Sequence, residues 1–211
     1  MTSTEPSGRP SEARERLLNT ATALFYAAGI HSVGVERIIA EAKVTRATFY
    51  RHFPGKEDLI TAYLERIHQH IRGQYEQAVA SGKPAADILR EIGRQIVEDI
   101  RTPGFRGCAF LNAAAEYPDA DHPVHQTVLA HRAWFLTTIT DLFAQTYDSP
   151  PEGLSRHFVM LRDGVMAAGC LGDPIAAGET FLNGVEGLLR VRTVDGVLRV
   201  HASDAPETTR S

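Results

Sequence analysis

The stretch VTRATFYRHFPGK, Val44 to Lys56, decides how the rest of the chain is read. It carries Arg46, Arg51, His52 and Lys56 and no acidic residue. Phe49 and Phe53 fall on one helical face, while Arg46, Ala47 and Tyr50 share another through i+3 and i+4 spacing. Thr45 stands where a side-chain oxygen can cap the first turn, and Pro54-Gly55 ends the helix. A helix with an aromatic inner side and a basic outer side suits contact with phosphates and base edges.

The residues upstream give this helix its setting. In VERIIAEA (35–42), Val35, Ile38, Ile39 and Ala42 repeat at helical spacing, although Gly34 offers no capping oxygen. Lys43 and Val44 make a tight connection to the next helix. Before it, Leu17, Ala21, Leu24, Phe25 and Ala28 line one face of a helix that begins near Ser11 and stops at Gly29. Two short helices joined by such a turn form a helix-turn-helix, whose second helix enters the major groove with its N-terminal end leading.

Downstream, helical periodicity continues from Lys56 to Ser81, then from Pro84 to the break at Pro103-Gly104. A short apolar helix, GCAFLNAAAEY (107–117), is closed by Pro118. A longer helix spans roughly 123–147, and two more cover about 152–171 and 174–193. VLRV (197–200) looks strand-like, but a single isolated strand has nothing to pair with. The expected architecture is all-α, with about nine helices. It comprises a disordered lead-in (1–10), a three-helix helix-turn-helix domain (11–56), a six-helix body (57–193) and a flexible tail (194–211).

Composition sets outer bounds. A hydrophobic share of 43% and a charged share of 23% describe an ordinary soluble domain. The opening residues lack the apolar core of a secretory signal, and no apolar run reaches membrane-spanning length. Two cysteines, Cys108 and Cys170, make no disulfide framework, which fits a reduced, cytoplasmic setting. The net charge of −4 is unevenly divided: residues 1–60 carry +1 and the remainder −5. Screening confines the relevant field to about 10 Å, so a basic surface can bind DNA on an acidic protein.

The run from Ser11 to Leu59 resembles the DNA-binding domain of the TetR (tetracycline-repressor-like) family of bacterial transcriptional regulators. The resemblance is carried by ATALFYAAG (21–29), VERIIAEA (35–42) and VTRATFYRHFPGKEDL (44–59). GCAFLNAAAEYPD (107–119) also looks like a segment seen in many members. The resemblance implies that Thr45 caps the recognition helix and holds a phosphate, and that Arg46 and Ala47 face base edges. An Arg there suits guanine O6 and N7. Thr48 and Tyr50 would bind phosphate or a thymine methyl, and His52 and Lys56 would clamp the backbone beside Arg51. Three positions depart from the pattern: Val33 replaces a frequent phosphate-binding Thr, Lys43 a turn Gly, and Ala47 a Gly.

Other residues admit two readings. Asn112 and Glu116 share a helix face and either bond to neighbouring helix ends or point into a ligand cavity. Phe110, Trp134, Phe135 and Arg162 complete the candidate pocket, with core packing as the plainer role for the aromatics. His122, His125 and His131, with Asp119 and Asp121, lack a recognised metal-ligand set. No metal or cofactor is expected. Gly164, Ala167, Ala168, Gly169, Gly184 and Gly187 suit close packing, either within one subunit or across a four-helix homodimer interface; the resemblance implies the dimer. No GxSxG, HExxH, CxxC or phosphate loop points to an enzyme. The expected protein is a homodimeric regulator, a repressor released from a palindromic double-stranded DNA operator by a small molecule. Alternatives are a sensor of the same fold without operator binding, or an all-α enzyme.

Overall fold

The computed structural model describes residues 11–147, 150, 152–194 and 197–200. The expected lead-in and the end of the tail lie outside these residues. The described residues form nine helices: α1 (Glu12–Ala28), α2 (Val35–Ala42), α3 (Arg46–His52), α4 (Lys56–Ala80), α5 (Ala85–Arg101), α6 (Ala109–Glu116), α7 (Pro123–Thr146), α8 (Leu154–Leu171) and α9 (Pro174–Leu189). Two short strands follow, β1 (Val191–Val194) and β2 (Val197–Val200). No described helix is long and apolar enough to cross a membrane.

The strands correct the reading of the C-terminal segment. The last helix ends at Leu189, and VLRV pairs antiparallel with VRTV just upstream, Val191 opposite Val200 and Val194 opposite Val197. The expected helix over 174–193 takes in most of this partner strand. Val191, Thr193 and Val194 are β-branched residue types that favour a pleated backbone.

Two compact units emerge, one comprising Met1–Gly73 with Cys108–Arg132 and the other Gln74–Gly107 with Ala133–Ser211. They group the chain differently from the expected segments 11–56 and 57–193. In the first unit, Leu17, Leu18, Ala21, Leu24 and Phe25 of α1 are buried with Ile38, Ala42 and Phe49. Leu59, Ile60, Tyr63 and Leu64 of α4 are buried as well, and the Tyr63 ring meets the edge of Phe25 at 5.7 Å. Burial raises the Tyr63 phenol above its ordinary pKa. Phe110 of α6 stacks on His131 of α7, ring centroids 3.6 Å apart and planes nearly parallel, and His131 Nδ1 lies 3.0 Å from His68 Nδ1.

In the second unit α5 presents Ile88, Leu89, Ile96, Val97 and Ile100 as a buried stripe. Glycines admit this helix closely: an added Cβ would lie 2.8 Å from Val97 Cγ1 at Gly178 and 2.9 Å from Ile100 Cβ at Gly169. Arg90 of α5 donates to both carboxylate oxygens of Glu186 of α9, at 2.7 and 3.2 Å, and that hydrogen-bonded guanidinium holds Glu186 below its ordinary pKa. Phe135, Ile139, Leu142 and Phe143 of α7 and Phe158 of α8 are also buried here.

The turn between α2 and α3 takes the geometry expected of a glycine. Lys43 sits at φ 53° and ψ 49°, in the left-handed region, as the C-cap of α2. Its N–H donates to Ala40 O at 3.2 Å, and the Val44 N–H donates to Ile39 O at 3.2 Å. A side chain in this region costs about 1–2 kcal/mol, of which Gly would recover part after its own entropic cost. Lys43→Gly is therefore expected to raise stability by about 0.5–1 kcal/mol. Lys43→Val should lower it, because β-branching crowds the left-handed backbone; urea denaturation of the two variants reads both signs.

Candidate nucleic-acid interface

The candidate surface is built on α3. Thr45, with extended φ and ψ, precedes the helix and accepts a hydrogen bond from the Thr48 N–H at 3.1 Å, and its hydroxyl lies 2.9 Å from that of Thr48. The cap satisfies one of the orphan donors of a short helix. Phe49 is fully buried and Phe53 nearly so, their ring centroids 6.2 Å apart. With that face turned inward, Thr45, Arg46, Ala47, Tyr50 and Arg51 are exposed, while Thr48 and His52 are half-buried. Tyr50 stands 45% exposed with its ring edge-on to Phe49 at 5.1 Å. The expected division of faces is the one observed.

Tertiary structure adds partners that lie outside the stretch. Arg46 pairs with Glu36 of α2 at 2.8 Å, and its guanidinium lies over the Tyr50 ring at 5.8 Å. Both members of the ion pair are well exposed, so the pair is worth about 0–1 kcal/mol and is readily exchanged for another partner. His52 Nε2 lies 3.2 Å from the Ser11 hydroxyl. Neither Glu36 nor Ser11 was picked out from sequence, since neither occupies a helical neighbour position of α3.

Lys56, expected on the DNA backbone, is anchored inside the unit. Its Nζ donates to Ile30 O at 2.7 Å and lies 6.0 Å from the centre of the Phe25 ring. Burial lowers its pKa, with the negative field of Glu116 acting the other way. Val33, placed where the resembling family often has Thr, is completely buried and joins the core instead of the surface.

The six candidate pocket residues divide between the units. Phe110 is buried against His131, and Asn112 is exposed. The Glu116 carboxylate accepts from the backbone N–H groups of Ile30 and His31. The alternative of bonding to a neighbouring helix end describes it. In the second unit Trp134 meets Tyr75 edge-on at 6.2 Å, and Phe135 lies 6.5 Å from Phe158. The buried Arg162 lies 5.6 Å from the Phe135 ring centre and bonds to Asp163 at 2.9 Å. His125, read as part of a weak metal cluster, has its Nδ1 2.6 Å from Tyr117 O, and His122 Nε2 lies 3.4 Å from Glu57.

A capped helix with a buried aromatic face and an exposed basic face, following α2 through a tight turn, defines a helix-turn-helix DNA-binding protein. Residues 17–63 match the family described as bacterial regulatory proteins, tetR family. Over 85% of this chain and 95% of the other, the structure matches SCO4454, a TetR-family transcriptional regulator from Streptomyces coelicolor, at 63% sequence identity and a TM-score of 0.82. The chain belongs to the TetR family of transcriptional regulators. It is also 33% identical over 96 residues to the transcriptional regulator LmrA of Bacillus subtilis, covering 42% of this chain and 51% of LmrA. With AcrR of Shigella flexneri it shares 35% identity over 94 residues, 43% of each chain. The chain thus spans about half the length of these curated relatives, both of them transcriptional regulators.

Because Thr45 supplies the cap of a seven-residue helix, Thr45→Ala should cost about 1 kcal/mol of stability. Chemical denaturation would show this as a lowered midpoint, with Thr45→Ser close to the parent.

Proposed function

We propose that the protein is a ligand-responsive repressor that binds a palindromic DNA operator as a homodimer. The observation that carries this reading is the outward face of α3, where Arg46, Ala47, Tyr50 and Arg51 are exposed around a buried Phe49. In this reading Arg46 and Ala47 meet base edges, and Thr45, Thr48, Tyr50, Arg51 and His52 hold phosphates or a thymine methyl. Lys56, anchored on Ile30, contributes positive field more than a direct clamp.

Dimerisation through α8 and α9 is supported by their apolar surface. Met160, Leu171 and Ile175 are 69%, 88% and 56% exposed, and an open groove of about 790 Å³ runs past Met160, Leu161, Ala168 and Ala176. At Gly164 and Gly187 an added Cβ would meet nothing within 4 Å, which leaves room for close approach by a second copy. The two recognition helices would then fall about 34–36 Å apart, or at a multiple of that distance.

For the effector, the group Trp134, Phe135 and Arg162 combines aromatic surface with a buried cation, the chemistry of a small-molecule site. The effector would relieve repression by binding more tightly to a state whose helix-turn-helix domains misfit the operator.

Selection of duplexes from a random-sequence pool tests the reading directly, and recovery of no inverted repeat would refute it. On the selected duplex, Arg46→Ala should relax the preference at one base pair per half-site by about 1–3 kcal/mol. Arg51→Ala should weaken all sequences alike and reduce the salt slope by about one per subunit. Met160→Arg is expected to shift the protein to monomers in sedimentation experiments, with loss of cooperative operator binding.

A further inference from the structure

Glu116, the last residue of α6, holds the turn between α1 and α2. Its Oε1 accepts from the Ile30 N–H at 2.8 Å and its Oε2 from the His31 N–H at 2.5 Å, with His31 Nδ1 3.2 Å from the same oxygen. Two successive N–H groups thus meet one carboxylate, directly after Gly29 turns the chain at φ 87°. A Cβ on Gly29 would stand 3.4 Å from Glu116 Oε1. On the other side of the same residue, Ile30 O accepts from Lys56 Nζ. Ile30 is therefore gripped by α6 through its N–H and by α4 through its carbonyl.

The next residue extends the contact. Tyr117 stacks on His31 with ring centroids 4.8 Å apart and lies 4.6 Å from the His122 ring, which in turn faces Glu57. All of these residues belong to one unit. The turn they hold is sunk into the core by Ile30 and Val33, which are 2% and 0% exposed. It leads directly into α2, and α2 carries α3 through the Lys43 turn. Wherever this turn sits, the DNA-reading face follows.

We propose that Glu116 is a positioning residue for DNA recognition: its carboxylate on the Ile30–His31 turn lets α6 set the orientation of the α2–α3 pair. The inference rests on the operator-binding reading above. It makes a prediction opposite in sign to simple electrostatics. Removing a negative charge from a DNA-binding unit should strengthen binding to a polyanion, whereas loss of a positioning contact weakens it.

The test uses the full chain as wild type, Glu116→Gln and Glu116→Asp, with a duplex selected from a random pool by the wild type. Glu116→Gln offers one acceptor and places an amide donor against the second N–H. It should lose about tenfold in affinity, as expected for a lost charge-assisted hydrogen bond, with an unchanged salt slope because no phosphate contact is removed. Glu116→Asp, shorter but still anionic, should recover part of the loss. Amide exchange at Ile30 and His31 should accelerate in Glu116→Gln, and the acceleration should extend into α2. Affinity equal to or above wild type would overturn the inference, as would unchanged exchange at those two amides. If Glu116→Gln does not fold, Glu116→Asp carries both measurements, with intermediate loss expected and wild-type values overturning. Failure of the wild type to select any duplex would refute the operator reading alone, and amide exchange would still decide whether Glu116 holds the α2 turn.

Discussion

A helix of seven residues cannot hold itself together in water, because nucleation costs more than so few hydrogen bonds return. What holds α3 is the burial of Phe49, completely enclosed, with Phe53 beside it at the C-cap. That burial also fixes rotation about the helix axis. Once Phe49 points into the core, the 100° step of an α-helix leaves Arg46, Ala47 and Tyr50 no direction but outward. The stability of α3 and the facing of its exposed side chains therefore share one cause, and the Thr45 cap secures the first turn. The resulting surface is basic where it must be, although the chain as a whole carries a net charge of −4.

The helix-turn-helix domain is not closed by its own three helices. Ile30 depends on a carboxylate from α6 and an ammonium from α4 for its two backbone groups, and Tyr117 fits between two histidine rings. The backbone of a buried turn must find partners for its N–H and C=O groups. Here the partners come from residues distant in sequence. This is why the first compact unit includes α6 and the start of α7. The turn that leads into α2 is thus tied to helices outside the helix-turn-helix itself.

The small residues of α8 and α9 show how one compositional signal can serve two purposes. Gly169, Gly178 and Gly184 are occupied within the subunit, against Ile100, Val97 and Leu161, where an added Cβ would come within 3.0 Å or less. Gly164 and Gly187 face open space. The same helices therefore pack closely on α5 along one side and leave an apolar groove, rimmed by Met160, on another.

Much of the fold was legible in the sequence because helical periodicity and local punctuation act over a few residues. VERIIAEA became α2 without change, Thr45 caps α3, and Gly29 ends α1. Those outcomes follow from side-chain facing, missing N–H partners and backbone sterics, all local causes. The hairpin was missed because no glycine or proline separates the Leu189 end of α9 from VRTV, and period alone does not separate a short strand from a helix end. The site was only partly legible for a different reason. The outward face of α3 follows from the sequence around it. That Lys56 turns to Ile30, that Arg46 meets Glu36, and that Glu116 serves a backbone turn 86 residues away are decided by chain segments brought together in three dimensions. Sequence spacing determined which residues share a helix face; only the tertiary structure decided which hydrogen-bond donors and charges each face would find opposite.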